Sequence, residues 1–137
     1  MPVTEINHVN FRAHREMMHI LRDFYCEVVG LTVGPRVAST SYGFWLYIGN
    51  NDVVHIAEYN KGVGEPNLHV NGTYDHVSFT CTDMPAMEAH LAKHHVPYTT
   101  RILANGVRQI NFKDPAGNGV ELNFEEFWNP DYEMRPS

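Results

Sequence analysis

Four side chains carry most of the chemistry this sequence offers: His8, His55, His76 and Glu121. Each lies in a short stretch of alternating polar and apolar residues, NHVNF, VVHIAEY, DHVSF and GVELNF. An imidazole in such a place needs a partner, which is a backbone carbonyl, a carboxylate or a metal ion. A glutamate there is costly to bury unless it is paired or bound. Three imidazoles and one carboxylate form a ligand set for a first-row divalent ion, with Fe, Ni, Co, Zn and Mn as the candidates. An octahedral ion with four protein ligands keeps two positions for water or substrate, as a catalytic site does. A single histidine of this kind is more often a core residue satisfied by a hydrogen bond. Four of them gain weight from how they are placed.

That placement comes from an internal repeat. INHVNFRA (6–13) and YDHVSFTC (74–81) share a pattern of apolar, polar, His, Val, polar and Phe, alternating as half-buried strands do. A helical stretch follows each. Residues 14–29 carry Met17, Met18, Leu21, Phe24, Tyr25 and Val28 at helical spacing, and residues 84–95 start behind Asp83 as N-cap. Three strand-like runs close each half: 31–37, 43–48 and 53–59, then 98–103, 107–112 and 119–124. The turn signals GNND and KDPAGNG separate the last two runs of each half. His8 and His76 then hold the same place in their first strands, and His55 falls on Glu121 in the last strands. The spacings agree, 47 residues from His8 to His55 and 45 from His76 to Glu121. All four are expected in mid-strand.

The expected organisation is one domain over 1–137: module one at about 4–60, a glycine-rich linker at about 60–72, module two at about 73–126 and an aromatic tail at 127–137. Strand periodicity places Asn10 and Arg12 on the face of His8, Ser78 on that of His76, Ala57 and Tyr59 on that of His55, and Asn123 on that of Glu121. Asn10, Arg12, Tyr59, Ser78 and Asn123 are therefore candidate substrate-lining residues, with plain packing as the alternative for each. Arg108 and Gln109 are expected near the rim. The other histidines, His14, His19, His90, His94 and His95, are expected on wet helix faces.

Composition narrows the partners. The 137 residues are 43% hydrophobic and 19% charged with net charge −6, so the chain can bury a core. No Lys/Arg run exists to track a phosphate backbone, which argues against nucleic acid. No apolar run approaches the roughly 20 residues that span a bilayer, and no signal peptide is visible. Cys26 and Cys81 stand apart and read as reduced thiols. A cytoplasmic protein with a small-molecule substrate is expected.

The sequence resembles the vicinal oxygen chelate superfamily, the group of glyoxalase I, bleomycin-resistance proteins and type I extradiol dioxygenases. The resemblance rests on NHVNF, FYCEVVGLTVGPR, YDHVSF and FKDPAGNGVELNF, and it covers residues 6 to about 124. It implies an α+β fold of two βαβββ modules forming a cupped, open, mixed β-barrel with flanking helices. It also implies one divalent metal per site and a homodimer whose sites draw residues from both chains. By the same resemblance His8, His55, His76 and Glu121 take the ligand positions of strands one, four, five and eight. Glyoxalase I has a glutamate where this chain has His55. With one carboxylate fewer the site carries about one positive charge, which favours an anionic oxygen ligand. Glu121 is then the candidate base of a glyoxalase-type lyase or isomerase, with His55 as a catalytic or ligand residue. The alternative is an Fe(II) dioxygenase held by His8, His76 and Glu121, with His55 as acid or base. A metal-free binding protein of the bleomycin-resistance kind is the third reading, and it predicts poor ligands at the four positions.

Overall fold

The computed structural model describes residues 2–59 and 72–132. The chain divides into two compact units, Met1–Leu68 and His69–Ser137. Each has the order strand, helix, strand, strand, strand that the repeat predicts. The expected linker falls on residues 60–71, and the end of the tail on 133–137, both outside the described residues.

In the first unit, β1 (Val9–Ala13) leads into α1 (Arg15–Phe24), and β2 (Thr32–Gly34), β3 (Gly43–Ile48) and β4 (Asn51–Glu58) follow. The sheet order is β1-β4-β3-β2, with β1 parallel to β4 and the other pairs antiparallel. Met18, Leu21, Tyr25 and Val28, spaced three and four apart, form one buried stripe. Phe11, Ala13, Leu46, Val54 and Ile56 are the buried positions of the sheet. Alternation leaves Asn10, Arg12 and His55 on the other face.

In the second unit, β5 (His76–Cys81) and α2 (Met84–Lys93) precede β6 (Thr99–Ile102), β7 (Arg108–Lys113) and β8 (Gly119–Phe124). The order β5-β8-β7-β6 repeats that of the first unit, with β5 parallel to β8. Met84, Leu91, Ile110, Phe112, Val120, Leu122 and Phe124 are buried. At the β7–β8 turn the buried Asp114 carboxylate accepts from the backbone N–H groups of Ala116 and Asn118, each at 2.9 Å, and from Asn118 Nδ2 at 3.0 Å. The Asp-Pro-Ala-Gly-Asn stretch is thus a self-satisfied turn, which sets the start of β8 and so the position of Glu121. No helix of the described residues is long and apolar enough to cross a membrane.

Several boundaries differ from expectation for local reasons. The first helix does not run unbroken to residue 29, because Tyr25–Val29 form a π-helical turn. The Tyr25 carbonyl takes the N–H groups of both Gly30 and Leu31, and Gly30 closes the turn at φ 99°. β2 spans only Thr32–Gly34, because Pro35 follows and cannot donate to the ladder. The β3–β4 hairpin turns on Gly49 and Asn50 alone, so Asn51 and Asp52 belong to β4. His8 and His76 are not in mid-strand: His8 precedes β1 by one residue, and His76 opens β5 opposite Gly119.

Candidate functional site

Strand registers place the four candidates by one rule in both units. His55 pairs with Asn10, two residues after His8, and Glu121 pairs with Ser78, two residues after His76. Across each sheet this makes the rows Trp45–His55–Asn10 and Asn111–Glu121–Ser78. The repeat inferred from spacing is therefore the repeat of the hydrogen-bonded ladders.

In the first unit the His8 ring stacks on His55 with centroids 3.7 Å apart, and Trp45 stacks on His55 at 4.3 Å and 5°. Two nearly parallel rings this close must take opposite faces, so His55 is sandwiched. Asp52 Oδ2 accepts the His55 Nε2–H at 2.6 Å, and that bond holds the Asp52 carboxyl below the usual aspartate range. His55 therefore offers Nδ1 to any further partner. His8 donates through Nδ1 to Asn7 Oδ1 at 2.8 Å, which leaves Nε2. Asn10 and Arg12 are exposed, and the Tyr59 ring packs edge-on to His14 at 5.0 Å.

In the second unit His76 donates through Nδ1 to Asp75 Oδ2 at 2.7 Å, and its Nε2 lies 3.5 Å from Glu121 Oε2. The His76 bond lowers the Asp75 pKa. Glu121 Oε2 also accepts from Ser78 Oγ at 3.0 Å and from Asn123 Nδ2 at 3.1 Å. Asn123 further donates to Ser78 Oγ and accepts from Gln109 Nε2 at 2.9 Å. Among the described residues these contacts on Glu121 all fall on Oε2, which leaves Oε1 for a proton or a cation. Gln109 is buried rather than at a rim, and it anchors this network. The Arg108 guanidinium stacks over Phe127 at 4.2 Å. His19, expected on a wet face, is half-buried and hydrogen-bonds the Tyr42 hydroxyl at 2.7 Å.

The structure thus brings the candidates together in twos, His8 with His55 and His76 with Glu121. Among the described residues no three His, Cys, Asp or Glu side chains gather as a group able to hold a metal. The donor set does suit such an ion in its chemistry. Metal-binding histidines fix one ring nitrogen with a hydrogen-bond acceptor and ligate through the other, and all three histidines are held in that way here.

Asn7, Asp75, Asp52 and Trp45 were not singled out by sequence. For Asn7 and Asp75 a signal existed, since each repeat places an acceptor side chain immediately before its histidine. Asp52 had none. The β3–β4 register shifts between Leu46 and Tyr47, leaving Val53 as an extra residue. Such a bulge breaks the alternation and brings Asp52 to His55.

Comparison with known proteins gives the same architecture. No family model matches the chain. It is 28% identical over 127 residues to Glyoxylase I 4 of Arabidopsis thaliana, covering 88% of this chain and 70% of that protein. Among solved structures, a glyoxylase/bleomycin resistance protein/dioxygenase domain from a Frankia species superposes with TM-score 0.70 at 19% identity, over 89% of this chain and 98% of that one. The fold is that of the glyoxalase, bleomycin-resistance and dioxygenase proteins. Lactoylglutathione lyase from Agrobacterium tumefaciens shares it, with TM-score 0.65 and 18% identity over 93% and 98% of the two chains. So does TnmS3, an antibiotic binding protein from a Streptomyces species, with TM-score 0.64 and 18% identity over 90% and 98%. The fold therefore serves both enzymes and binding proteins.

Proposed function

We propose that this protein is a divalent-metal-dependent lyase or isomerase of the glyoxalase kind, acting on a small oxygenated metabolite. The observation that carries this is the pairing of His76 Nε2 with Glu121 Oε2 at 3.5 Å, with Asp75 fixing the far nitrogen of the imidazole. His76 and Glu121 supply one half of the ligand set, and His8 Nε2 and His55 Nδ1 supply the other. The two halves come from paired chains of a homodimer. When bound, a divalent ion supplies Lewis-acid stabilisation of oxyanion charge.

The chain's own groups account for the proton. Ser78 and Asn123 hold Glu121 through Oε2, so Oε1 is the atom that takes a proton from carbon next to a carbonyl. Asp52 and Trp45 fix the plane of His55, which keeps Nδ1 aimed in one direction. A test follows with a hemithioacetal substrate: Glu121→Gln removes the base but keeps a ligand oxygen, so turnover falls by about 100-fold or more while some metal is retained. Full activity in Glu121→Gln contradicts this role.

A second reading is favoured by the His55–Asp52 bond. In it His8, His76 and Glu121 form a two-histidine, one-carboxylate set for Fe(II), and the His55–Asp52 pair serves as acid and base in oxygen chemistry. Iron content together with oxygen uptake on catechols selects this reading. Nickel, cobalt or zinc with hemithioacetal turnover selects the first.

A further inference from the structure

The second unit contains a cavity of about 500 Å³, within the usual range for small-molecule sites. His76 and Lys113 both line it, and in the strand registers both pair with Gly119. Adjacent strands are about 4.8 Å apart, so the two residues flank Gly119 with their backbones about 10 Å from each other. A Cβ on Gly119 would lie 2.8 Å from His76 Cβ and would also meet the Asp75 carbonyl. Between the imidazole and the lysine the sheet is therefore bare backbone, and a side chain there would close the gap.

The two ends of this gap differ in chemistry. Lys113 is exposed and, among the described residues, has no carboxylate at ion-pair distance. Asp75, the acidic group it influences, already accepts from His76. Asn111 and Thr99, partners across β7 and β6, add neutral polar groups to the wall. Pro97 and Tyr98 line the cavity as well, and the Tyr98 hydroxyl is turned to Glu88 at 3.1 Å. Lys113, an Asp75 carboxylate already engaged by His76, the neutral polar groups of Thr99 and Asn111, and apolar surface at Pro97 and Tyr98 suit an organic anion with an apolar body.

We infer that this cavity is the substrate's specificity subsite, and that the substrate is a small carboxylate with an apolar body whose anionic group pairs with Lys113 and whose oxygenated end reaches His76 and Glu121. The last part rests on the metal-site reading above; the cavity and Lys113 stand without it.

Phenylpyruvate and its neutral counterpart phenylacetone are suitable probes, titrated into the full-length protein by calorimetry with EDTA present. Lys113→Met, at an exposed position, keeps the melting temperature and weakens phenylpyruvate binding by about tenfold or more, whereas Lys113→Arg stays within about threefold. Phenylacetone binds wild type and Lys113→Met alike. Backbone amide shifts on adding phenylpyruvate cluster at Thr99, Asn111 and Gly119. Equal phenylpyruvate affinity in wild type and Lys113→Met, no phenylpyruvate binding, or shifts elsewhere each overturn the inference. Metal content separates the two levels. A chain that binds metal without Lys113-dependent binding loses only the subsite; one that binds no metal yet shows Lys113 dependence keeps the subsite and loses the metal reading.

Discussion

His8, His55 and His76 each have one ring nitrogen tied to an acceptor on the same unit, Asn7, Asp52 and Asp75 respectively. Removing such an acceptor frees the ring to rotate and weakens the lone pair on the other nitrogen. For Asp75→Ala, metal affinity measured by competition with a chromophoric chelator is expected to fall about 10- to 100-fold. An unchanged affinity would show that Asp75 does not orient His76. A different pair sets acid stability. Arg15 grips both oxygens of Glu58, at 2.8 and 3.1 Å, and holds that carboxyl below the usual glutamate range. A depressed carboxyl stabilises the fold above its ordinary titration range, and the contribution is lost as pH falls through the lowered value. Glu58→Gln should therefore flatten the decline of stability below about pH 4, read as urea midpoints across pH. A decline as steep as that of the wild type contradicts it.

At the scale of elements, what could be read from sequence was what repeats with a simple period. The helical stripe of Met18, Leu21, Tyr25 and Val28 and the buried β8 alternation of Val120, Leu122 and Phe124 with Glu121 were both visible in this way. The strand registers place His55 opposite Asn10 and Glu121 opposite Ser78, a pairing that the periods alone do not specify. What stayed hidden depends on irregular backbone: the π-helical turn after Phe24, and the bulge at Val53 that carries Asp52 to His55. The burial of Gln109 was hidden for another reason, since only its bond to Asn123 distinguishes it from a surface residue. Leu122 is fully buried, and Leu122→Ala should cost about 2–5 kcal/mol in denaturant unfolding. Asp83 caps α2 by accepting from Ala86 N–H at 3.2 Å, and does so at φ 62°, a backbone conformation that glycine adopts readily. Asp83→Ala should thus cost about 1 kcal/mol and Asp83→Gly clearly less, in denaturant unfolding; equal losses in the two variants would contradict this.

For the whole molecule, the proposal needs both units to serve one ion through a homodimer. The two units repeat one topology yet carry different donors, two imidazoles in one and an imidazole with a carboxylate in the other. If each ion takes one pair from each chain, a His55→Ala chain mixed with a Glu121→Ala chain forms heterodimers with one intact site and one doubly damaged site. Unfolding and refolding the mixture together should restore metal binding that neither variant has alone. No restoration contradicts shared sites. The central claim is that a divalent ion is held with Glu121 as a ligand, and elemental analysis of protein purified without chelator tests it most directly. The account predicts about one transition-metal ion per chain in the wild type and its loss in Glu121→Ala. A folded wild type without stoichiometric metal, or a Glu121→Ala protein that keeps it, would contradict the account.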